Sequence, residues 1–304
     1  DKTMVLRPEY TAGVIRSYLQ NGMANLPQPV KLWYFGPCFR YERPQKERYR
    51  IHYQFGVEVI GDKDPLTDAL LIFSAWQNLQ SLGLGKNLKL DINSIGCGVC
   101  RPKMKKKLVE YFQNFLEDLC PDCNRRLIEN PLRILDCKNE KCQKIIAGAP
   151  QLIDLLCETC KNHFKDVLEN LDNLQITYNL NPRLVRGLDY YTQTVFEIYL
   201  EGETALLGGG RYDDLVAILG GIDTPAVGWA AGVERIINAL KGETTLPEEK
   251  LTDICLIHVG EKAKKQALIL LNQLIGAGFK VTNIIGKESL KAQLRSASKL
   301  GAEI

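Results

Sequence analysis

Hydrophobic residues recur at helical and at strand spacing in the first 96 residues, which predicts mixed α and β structure. The predicted elements are a helix at 11–19 and strands at 31–35, 51–60 and 88–93. Asp64 and Pro65 supply the N-cap and the first-turn proline of a second helix. Its predicted buried face is Leu66, Ala69, Leu70, Phe73, Trp76 and Leu79.

Residues 97–175 interrupt this pattern. They are rich in cysteine and lysine, and their periodicity predicts helices at 103–119 and 150–171. We therefore interpret 97–175 as an inserted Cys-rich helical module that separates 1–96 from 176–245. In this third stretch the pattern predicts a strand at 193–200, a Gly-Gly-Gly turn at 208–210 and a helix near 232–240.

The last part of the chain has a different order of elements. Residues 241–252 have the composition of a linker, and 246–304 alternate between strand and helix patterns. The predicted elements are strands at 253–259 and 279–285 and helices at 261–276 and 288–300. A βαβα order predicts a small parallel-sheet domain.

The composition is typical of a folded protein of about two domains. The chain has 304 residues, of which 45% are hydrophobic and 25% are charged, and this excludes a disordered or fibrous protein. No apolar run approaches the ~20 residues that span a bilayer, and the first residues lack a secretory pattern. We therefore expect a cytoplasmic protein with no membrane partner. The net charge of +3 is too small to indicate a nucleic-acid partner.

The predicted strand at 51–60 carries polar residues on one face. Alternation places Gln54 and Glu58 on the same side, flanking Gly56, where a ligand could lie close against the sheet. A solvent-facing strand would show the same alternation. The preceding segment ends a strand near Arg40 and continues as a loop rich in Arg and Lys. Such a loop suits a polyphosphate or a nucleic-acid backbone, and a solvated charged turn has the same composition.

Five short motifs resemble those of one family. They are L-R-P-E-Y-T-A-G at 6–13, F-R-Y-E at 39–42, L-V-R-G-L-D-Y-Y-T at 184–192, G-G-G-R-Y-D at 208–213 and G-V-E-R at 232–235. Together they resemble the histidyl-tRNA synthetases, which are class II aminoacyl-tRNA synthetases. Class II motifs 2 and 3 correspond to 39–42 and 232–235. The two histidine-specific signatures correspond to 184–192 and 208–213, and 6–13 resembles the amino-acid-binding turn.

The resemblance implies an α+β fold: a class II antiparallel sheet with flanking helices, and an α/β anticodon-binding domain at 246–304. It implies that the protein activates L-histidine with ATP and Mg²⁺, transfers histidine to tRNA(His), and forms a homodimer. It also implies that motif 1 lies upstream of Asp1 and that the anticodon-binding domain continues past Ile304.

The resemblance implies a role for each matching position. Arg40 and Arg186 would contact the α-phosphate of ATP, and Arg235 would contact the γ-phosphate. Further ATP contacts are implied for Glu42 and Arg48. The histidine site would consist of Glu9, Tyr10, Thr11, Gln54, Glu58, Arg186, Tyr190 and Tyr191. At Tyr10 the family has glycine, so this chain places a bulky ring beside the histidine pocket.

Two other classes of protein are compatible with parts of the sequence. The synthetase-like regulatory subunit of ATP phosphoribosyltransferase shares the fold but needs neither the ATP-facing arginines nor a tRNA module. Arg40, Arg186 and Arg235 are all present, which favours the enzyme. A zinc-dependent nucleic-acid-binding protein is a more distant alternative, because the clustered cysteines occupy only the inserted module.

Eight of the ten cysteines lie between residues 97 and 160. Such clustering without secretory features favours metal ligation by thiolates over disulfides. The spacing suggests two nested structural Zn²⁺ sites, one of Cys120, Cys123, Cys137 and Cys142 and one of Cys97, Cys100, Cys157 and Cys160. Free buried thiols, a single zinc ion and an iron–sulfur cluster are alternatives.

Overall fold

The computed structural model describes residues 4–41, 43–44, 48–243, 253–283 and 289–299. The chain divides into two compact units, Asp1–Thr244 and Thr245–Ile304. None of the helices in these described ranges is long and apolar enough to cross a membrane.

One sheet forms the centre of the first unit. Its strands are β1 Val30–Phe39, β2 Ile51–Ile60, β3 Leu88–Ser94, β4 Asn179–Leu180, β5 Thr192–Leu200, β6 Leu207–Arg211 and β7 Ala226–Gly232. Among the described residues these seven strands lie in the order β1-β2-β7-β6-β5-β3-β4. Neighbouring strands are antiparallel, apart from the short parallel pair of β3 and β4.

Helices flank this sheet and form the inserted segment. They are α1 Thr11–Gln20, α2 Pro65–Ser81, α3 Cys100–Phe112, α4 Pro121–Glu129, α5 Glu140–Ile146, α6 Glu158–Asn173, α7 Leu215–Ile218 and α8 Val233–Glu243. The α+β class, with an antiparallel sheet and flanking helices, is therefore confirmed. The helices predicted at 103–119 and 150–171 are α3 and α6 with shifted ends. Neither α4 nor α5 was predicted, because each is too short to show a clear period.

The second helix, α2, begins as predicted, with the Asp64 carboxylate accepting a hydrogen bond from the Leu66 amide at 2.9 Å. Its predicted buried face is partly wrong. Leu66 and Leu70 are 45% and 48% exposed, whereas Asp68 is 1% exposed. The helix is rotated so that a carboxylate points inward, and a hydrophobic pattern alone cannot reveal such a rotation.

The three glycines at 208–210 lie inside β6, so the predicted turn is wrong. The close approach of β6 to its neighbours explains why glycines occupy this strand. A Cβ atom at Gly209 would lie 2.2 Å from the carbonyl oxygen of Gly228 on the adjacent strand β7. The glycines therefore permit a close approach within a sheet and do not reverse the chain.

A buried ion-pair network joins β6, α2 and α6. The Arg211 side chain is fully buried and donates from Nη2 to Asp68 Oδ2 at 2.7 Å and from Nη1 to Asp213 Oδ1 at 3.1 Å. Its Nη1 also donates to the carbonyl oxygen of Asp62 at 2.9 Å. On α6, His163 Nε2 lies 3.1 Å from Asp68 Oδ2. Because a buried guanidinium is stable only when it is paired and hydrogen-bonded, this network determines the orientation of α2.

The second unit contains β8 Ile254–Leu256, α9 Gly260–Gly276, β9 Val281–Asn283 and α10 Leu290–Lys299. β8 and β9 are parallel, which confirms the predicted βαβα order. Gln293 on α10 is buried and exchanges two hydrogen bonds with the His258 backbone, at 2.8 and 2.6 Å. Residues 244–252 of the predicted linker lie outside the described residues.

We expect Asp68→Ala to lower the free energy of unfolding by about 3–5 kcal/mol, because it leaves the buried Arg211 charge undercompensated. Urea denaturation at pH 7 measures this change. Glu201→Ala is the matched control, since Glu201 Oε2 lies 3.7 Å from Lys89 Nζ in an exposed pair. We expect the control to change stability by less than about 1 kcal/mol. Equal losses in the two variants would contradict the importance of the buried network.

Candidate active site

A cleft of about 180 Å³ opens over the face of the sheet formed by β2, β6 and β7. It brings together these predicted site residues: Glu9, Thr11, Arg40, Gln54, Arg186, Tyr190, Tyr191 and Arg235. In the described part of the chain, Tyr10, Arg48 and Glu58 do not line this cleft. Glu42 lies outside the described residues.

The Glu9 carboxylate lies at the start of α1. Its Oε2 accepts a hydrogen bond from the Thr11 amide at 2.5 Å, and its Oε1 accepts one from the Ala12 amide at 3.1 Å. The Tyr190 hydroxyl donates to Oε2 at 3.3 Å. First-turn amides of a helix stabilise a carboxylate, so Glu9 is held in place at the rim of the cleft. A carboxylate in this position can bind an ammonium group.

The Glu58 carboxyl group lies behind Thr11 and is 1% exposed. Its Oε1 accepts a hydrogen bond from Thr11 Oγ1 at 2.7 Å, and the Tyr212 hydroxyl donates to Oε2. A Cβ atom at Gly228 would lie 1.5 Å from Oε2, so the neighbouring strand must have glycine there. Burial raises the pKa of Glu58 to about 8, and the carboxyl group is therefore largely protonated at pH 7. Glu58 orients Thr11, which itself lines the cleft.

The Arg186 guanidinium lies flat against β6. It forms an ion pair with Glu197 on β5, and its centre lies 5.9 Å from the centroid of the Tyr191 ring. A Cβ atom at Gly208 would lie 2.5 Å from Arg186 Nη1. Among the described residues, the buried Nε of Arg186 has no hydrogen-bond partner. The side chain therefore offers a positive charge and an unused donor next to the cleft.

Arg40 follows β1 and reaches the same cleft. Its Nη2 lies 3.2 Å from His52 Nε2, and its backbone amide donates to the Arg50 carbonyl oxygen at 2.8 Å. Burial, together with the charge of Arg40, lowers the pKa of His52. His52 is therefore neutral at pH 7, and its Nε2 can accept a hydrogen bond from the guanidinium.

Arg235 enters the cleft from the first turn of α8. Its Nη1 donates to the Ala205 carbonyl oxygen at 2.6 Å. The adjacent Glu234 carboxylate accepts hydrogen bonds from the Tyr53 amide at 2.8 and 3.1 Å, which fixes the start of α8 to β2. The cleft thus receives an arginine from just after β1, one from the segment before β5 and one from α8.

Tyr10 packs next to the cleft without lining it. Its ring stacks on that of Tyr34 with a centroid distance of 4.8 Å, and the Arg7 guanidinium lies 4.8 Å from the Tyr10 ring centroid. A Cβ atom at Gly36 would lie 2.0 Å from the Tyr10 hydroxyl oxygen. The bulky ring is therefore accommodated between Arg7, Tyr34 and a glycine of β1.

The residues of this cleft that sequence reasoning missed include four with polar side chains, Tyr34, His52, Glu197 and Glu234. One of them had a usable signal. Glu197 is a carboxylate within the otherwise apolar stretch Val195–Leu200, which indicates a buried cationic partner. The partner of Glu197, Arg186, lies 11 residues earlier in a segment without helix or strand, so no periodicity in the sequence could assign it.

The family model of histidyl-tRNA synthetase matches residues 1–98 and 132–236 of this chain. A histidine–tRNA ligase from Desulfitobacterium hafniense is 46% identical over 99% of this chain and 72% of the relative. The chain belongs to the histidyl-tRNA synthetase family. An apo histidyl-tRNA synthetase from S. aureus has a similar structure, with a TM-score of 0.80 and 38% identity over 98% of this chain and 73% of that one.

A second solved structure shares the fold at lower similarity. It is described as an ATP phosphoribosyltransferase regulatory subunit/histidyl-tRNA synthetase from Bacillus halodurans. Its TM-score is 0.64 and its identity is 20%, over 96% of this chain and 77% of that one. At this level of identity the comparison shows the fold of the synthetase family alone.

The structure brings the eight clustered cysteines of this synthetase-family chain into the two groups that the spacing suggests. Within each group the Sγ atoms all lie within 4.8 Å of one another. Cys97 Sγ lies 3.8 Å from Cys100 Sγ, and Cys120 Sγ lies 3.8 Å from Cys137 Sγ. A tetrahedral zinc ion with Zn–S bonds of about 2.3 Å separates its sulfur ligands by about 3.8 Å.

The electrostatic surroundings of these cysteines also suit a metal. The Cys120 amide donates to Cys142 Sγ at 3.2 Å, and the Cys157 amide donates to Cys100 Sγ at 3.1 Å. A hydrogen bond from the Cys160 amide lowers the pKa of Cys157 to about 7. Amide donors of this kind stabilise thiolates. An iron–sulfur cluster distributes its four thiolates over two or more irons and needs a wider ligand spacing, so the donor geometry favours a single tetrahedral ion such as zinc.

Glu58→Gln is expected to change how stability depends on pH. The folded pKa is about 8 and the ordinary value is 4.5, so between these pH values the folded state holds a proton that the unfolded chain releases. This carboxyl group therefore reduces stability as pH rises, by about 1.4 kcal/mol per pH unit between pH ~5 and ~8. Glutamine does not ionise, so the variant gains stability relative to the parent across this window.

Denaturant unfolding at several pH values measures this difference. We expect the advantage of Glu58→Gln to increase from pH 5 to pH 8 and to level off above that. Glu203→Gln, at an exposed position, serves as the control. A constant difference between Glu58→Gln and the parent over this range would show that Glu58 is ionised in the folded state.

Proposed function

We propose that this chain is a histidine–tRNA ligase. In the first step, the carboxylate of L-histidine attacks the α-phosphorus of ATP, the bond to the β-phosphate breaks, and histidyl-adenylate and pyrophosphate form. In the second step, a terminal hydroxyl of tRNA(His) attacks the histidyl carbonyl and AMP leaves. The observation that carries this proposal is the convergence of Arg40, Arg186 and Arg235 with Glu9 and the other polar residues of one cleft.

The three arginines supply what an adenylation reaction requires. Attack of one anion on another needs close positioning and positive charge, and it needs no protein nucleophile. We assign Arg40 and Arg186 to the α-phosphate and Arg235 to the γ-phosphate of ATP, which enters as its Mg²⁺ complex. The unused Nε donor of Arg186 supports its assignment. Glu197 and His52 hold two of these guanidinium groups in place before ATP arrives.

Selection of histidine is assigned to the opposite end of the cleft. Glu9 is positioned to accept from the α-ammonium group, and Gln54 to bind the imidazole. Cys38 Sγ donates a hydrogen bond to Gln54 Oε1 at 3.2 Å, which orients the side-chain amide. The amide nitrogen of Gln54 therefore faces away from Cys38. A site that hydrogen-bonds both imidazole nitrogens rejects analogues that lack them, because its own buried polar groups would lose their partners.

The residues of the cleft favour this enzyme over the regulatory subunit of ATP phosphoribosyltransferase. A histidine-binding regulator needs no cations for a triphosphate. Arg40 and Arg235, however, are each oriented by a hydrogen bond toward the cleft. The 46% identical relative carries the name histidine–tRNA ligase, which supports the same choice.

We assign a structural zinc ion to each cysteine group. The metals would hold helices and turns of residues 97–175 together and would take part in no chemical step. Without metal, burial raises the pKa of Cys123 and of Cys160, so these thiols would stay protonated. Zinc binding would therefore release protons and contribute directly to the folding of the module.

The remaining partners follow from the same proposal. We assign 97–175 to the surface that meets tRNA(His), and 246–304 to the anticodon-binding domain. A homodimer is expected. Its interface would include the edge strand β1, on which Trp33 is 73% and Phe35 is 57% exposed.

Histidine-dependent exchange of pyrophosphate into ATP tests this function. We expect exchange with histidine and none with the other amino acids. Arg186→Ala is expected to lower the exchange rate by about 10²–10³-fold while the fold remains intact, because one preorganised cation is lost from the α-phosphate. Arg16→Ala, at an exposed position on α1, should exchange at the parent rate. A parent protein that binds histidine but shows no exchange would favour the regulatory class.

Metal analysis of the purified protein tests the zinc assignment. We expect about two zinc ions per chain. Cys142→Ser should retain about one, because its variant group keeps only three thiolates, and Cys38→Ser should retain both. Survival of histidine-dependent exchange after chelation would limit the metal to structural and tRNA-facing roles. Fewer than one zinc ion in the parent would contradict the assignment.

A further inference from the structure

The inserted module contacts the catalytic arginine segment directly. Arg133 Nη1 donates a hydrogen bond to the Gly187 carbonyl oxygen, and Asn130 Nδ2 donates to Asp189 Oδ1 at 2.7 Å. Arg101 Nη1 donates to the Asp189 carbonyl oxygen at 3.2 Å. Three side chains of the module thus hold residues 187–189, which follow Arg186 without interruption.

This segment has little regular structure of its own. Residues 181–191 lie outside any helix or strand, and Gly187, Leu188 and Asp189 are exposed. At Gly187 no side chain is available for packing, and an added Cβ atom would meet nothing within 4 Å. Side-chain hydrogen bonds from outside are therefore well suited to determine where this part of the backbone lies.

The position of Arg186 depends on that backbone. Its guanidinium must lie flat over Gly208 and meet Glu197, and both of these residues are fixed in strands of the sheet. A shift of Gly187 moves the Cα atom of Arg186 relative to these fixed partners. A misplacement of about 1 Å in a group that positions reactants can lower a rate by about 100-fold.

The packing of the inserted module restrains the Arg133 donor. Arg133 belongs to a 3₁₀ segment, Pro131–Asp136, in which Pro131, Leu132, Ile134 and Leu135 are buried. The Arg133 carbonyl oxygen accepts a hydrogen bond from Arg126 Nη1 on α4 at 3.1 Å. The segment is followed directly by Cys137, a member of the group Cys120, Cys123, Cys137 and Cys142, so packing and the proposed zinc site would both restrain it.

The Asn130 contact has a defined polarity. The carboxylate of Asp189 can only accept hydrogen bonds, so the Asn130 atom that faces it must be the amide nitrogen. An aspartate at this position has the same shape but would place two carboxylates about 2.7 Å apart. The substitution Asn130→Asp therefore breaks this contact by charge repulsion, with no change in side-chain shape.

We propose that Arg133 and Asn130 are positioning residues for histidine activation, and that they act through Gly187 and Asp189 on Arg186. The Cys-rich module thereby contributes to the adenylation step, in addition to any contact with tRNA. This inference rests on the proposed histidine–tRNA ligase activity. It assigns a role in the first reaction to a segment whose cysteines and lysines alone suggest a separate tRNA-facing module.

The first test compares Arg133→Ala, Arg133→Lys and Asn130→Asp in histidine-dependent ATP–pyrophosphate exchange. We expect Arg133→Ala and Asn130→Asp to lower kcat by about 10- to 100-fold and to change KM for histidine by less than about threefold. Arg133→Lys, which keeps a donor for the Gly187 carbonyl, should recover part of the loss. The matched control is Arg125→Ala, because Arg125 lies on α4 and pairs only with the exposed Asp122 and Glu129 among the described residues.

A double-variant comparison separates positioning from general support of the fold. If Arg133 acts through Arg186, Arg133→Ala should lower the rate by less than about threefold in an Arg186→Lys background. Single-turnover formation of histidyl-adenylate measures these slow rates. Thermal unfolding and zinc content of each variant show whether the module stays folded.

Two results would overturn the inference. One is exchange by Arg133→Ala and by Asn130→Asp within about twofold of Arg125→Ala. The other is an equal loss on Arg133→Ala with Arg186 and with Lys at position 186, which would mean that Arg133 acts by another route. Failure of the unaltered protein to catalyse histidine-dependent exchange would instead count against the proposed function. The two failures are thus distinguishable.

Discussion

Polar side chains in the cleft and directly behind it lie against the sheet, and this requires glycine in the strand beneath them. The Arg186 guanidinium lies over Gly208, and the Glu58 carboxyl group lies against Gly228. Added Cβ atoms at these two glycines would come within 2.5 Å of Arg186 Nη1 and 1.5 Å of Glu58 Oε2. Both glycines belong to adjacent strands, β6 and β7. The depth of the cleft therefore comes from missing side chains in the sheet, and the polar residues occupy the space that they leave.

The segment 208–213 serves the cleft and the core at once. Gly208 leaves room for Arg186, and the Tyr212 hydroxyl donates to Glu58 behind the cleft. Between them, Arg211 points to the other side of the sheet and forms the buried ion pair with Asp68. Alternation along a strand produces this division, because successive side chains face opposite sides. A change in this segment can therefore alter the cleft, the orientation of α2 or both.

Local signals predicted much of the fold. The alternating strand β2 and the Asp64 cap of α2 are found at the predicted positions, since they depend on neighbouring residues only. The cysteine grouping also follows from local pairs, because two short spacings bring ligands together in each group. The Gly-Gly-Gly sequence was interpreted wrongly as a turn, because the atoms that require glycine belong to strands distant in the sequence.

Tertiary contacts explain why the partners of two arginines of the cleft were not predicted. Arg186 and Arg40 were predicted by resemblance, but their partners Glu197 and His52 were not. Glu197 lies on β5 and His52 lies on β2. A polar residue in such a strand indicates only that some buried charge is present. His52 meets Arg40 through the register of β2 with β1, whereas Glu197 meets Arg186 through the path of the irregular segment 181–191. Both are properties of the folded chain.

With the proposed zinc ions bound, the two cysteine groups would allow a module outside the sheet to hold the Arg186 segment in position. One group brings Cys97 and Cys100, where the chain leaves β3, close to Cys157 and Cys160, where α6 begins. Next to this group, the Gln193 amide donates to the Gly96 carbonyl oxygen at 2.9 Å, which connects the same point to the start of β5. A zinc ion bound by Cys120, Cys123, Cys137 and Cys142 would restrain the chain on both sides of Arg133. If the chain is restrained on both sides of Arg133, the Arg133 side chain can hold Gly187 in place. The same side chain on a mobile loop would instead follow the segment that it contacts.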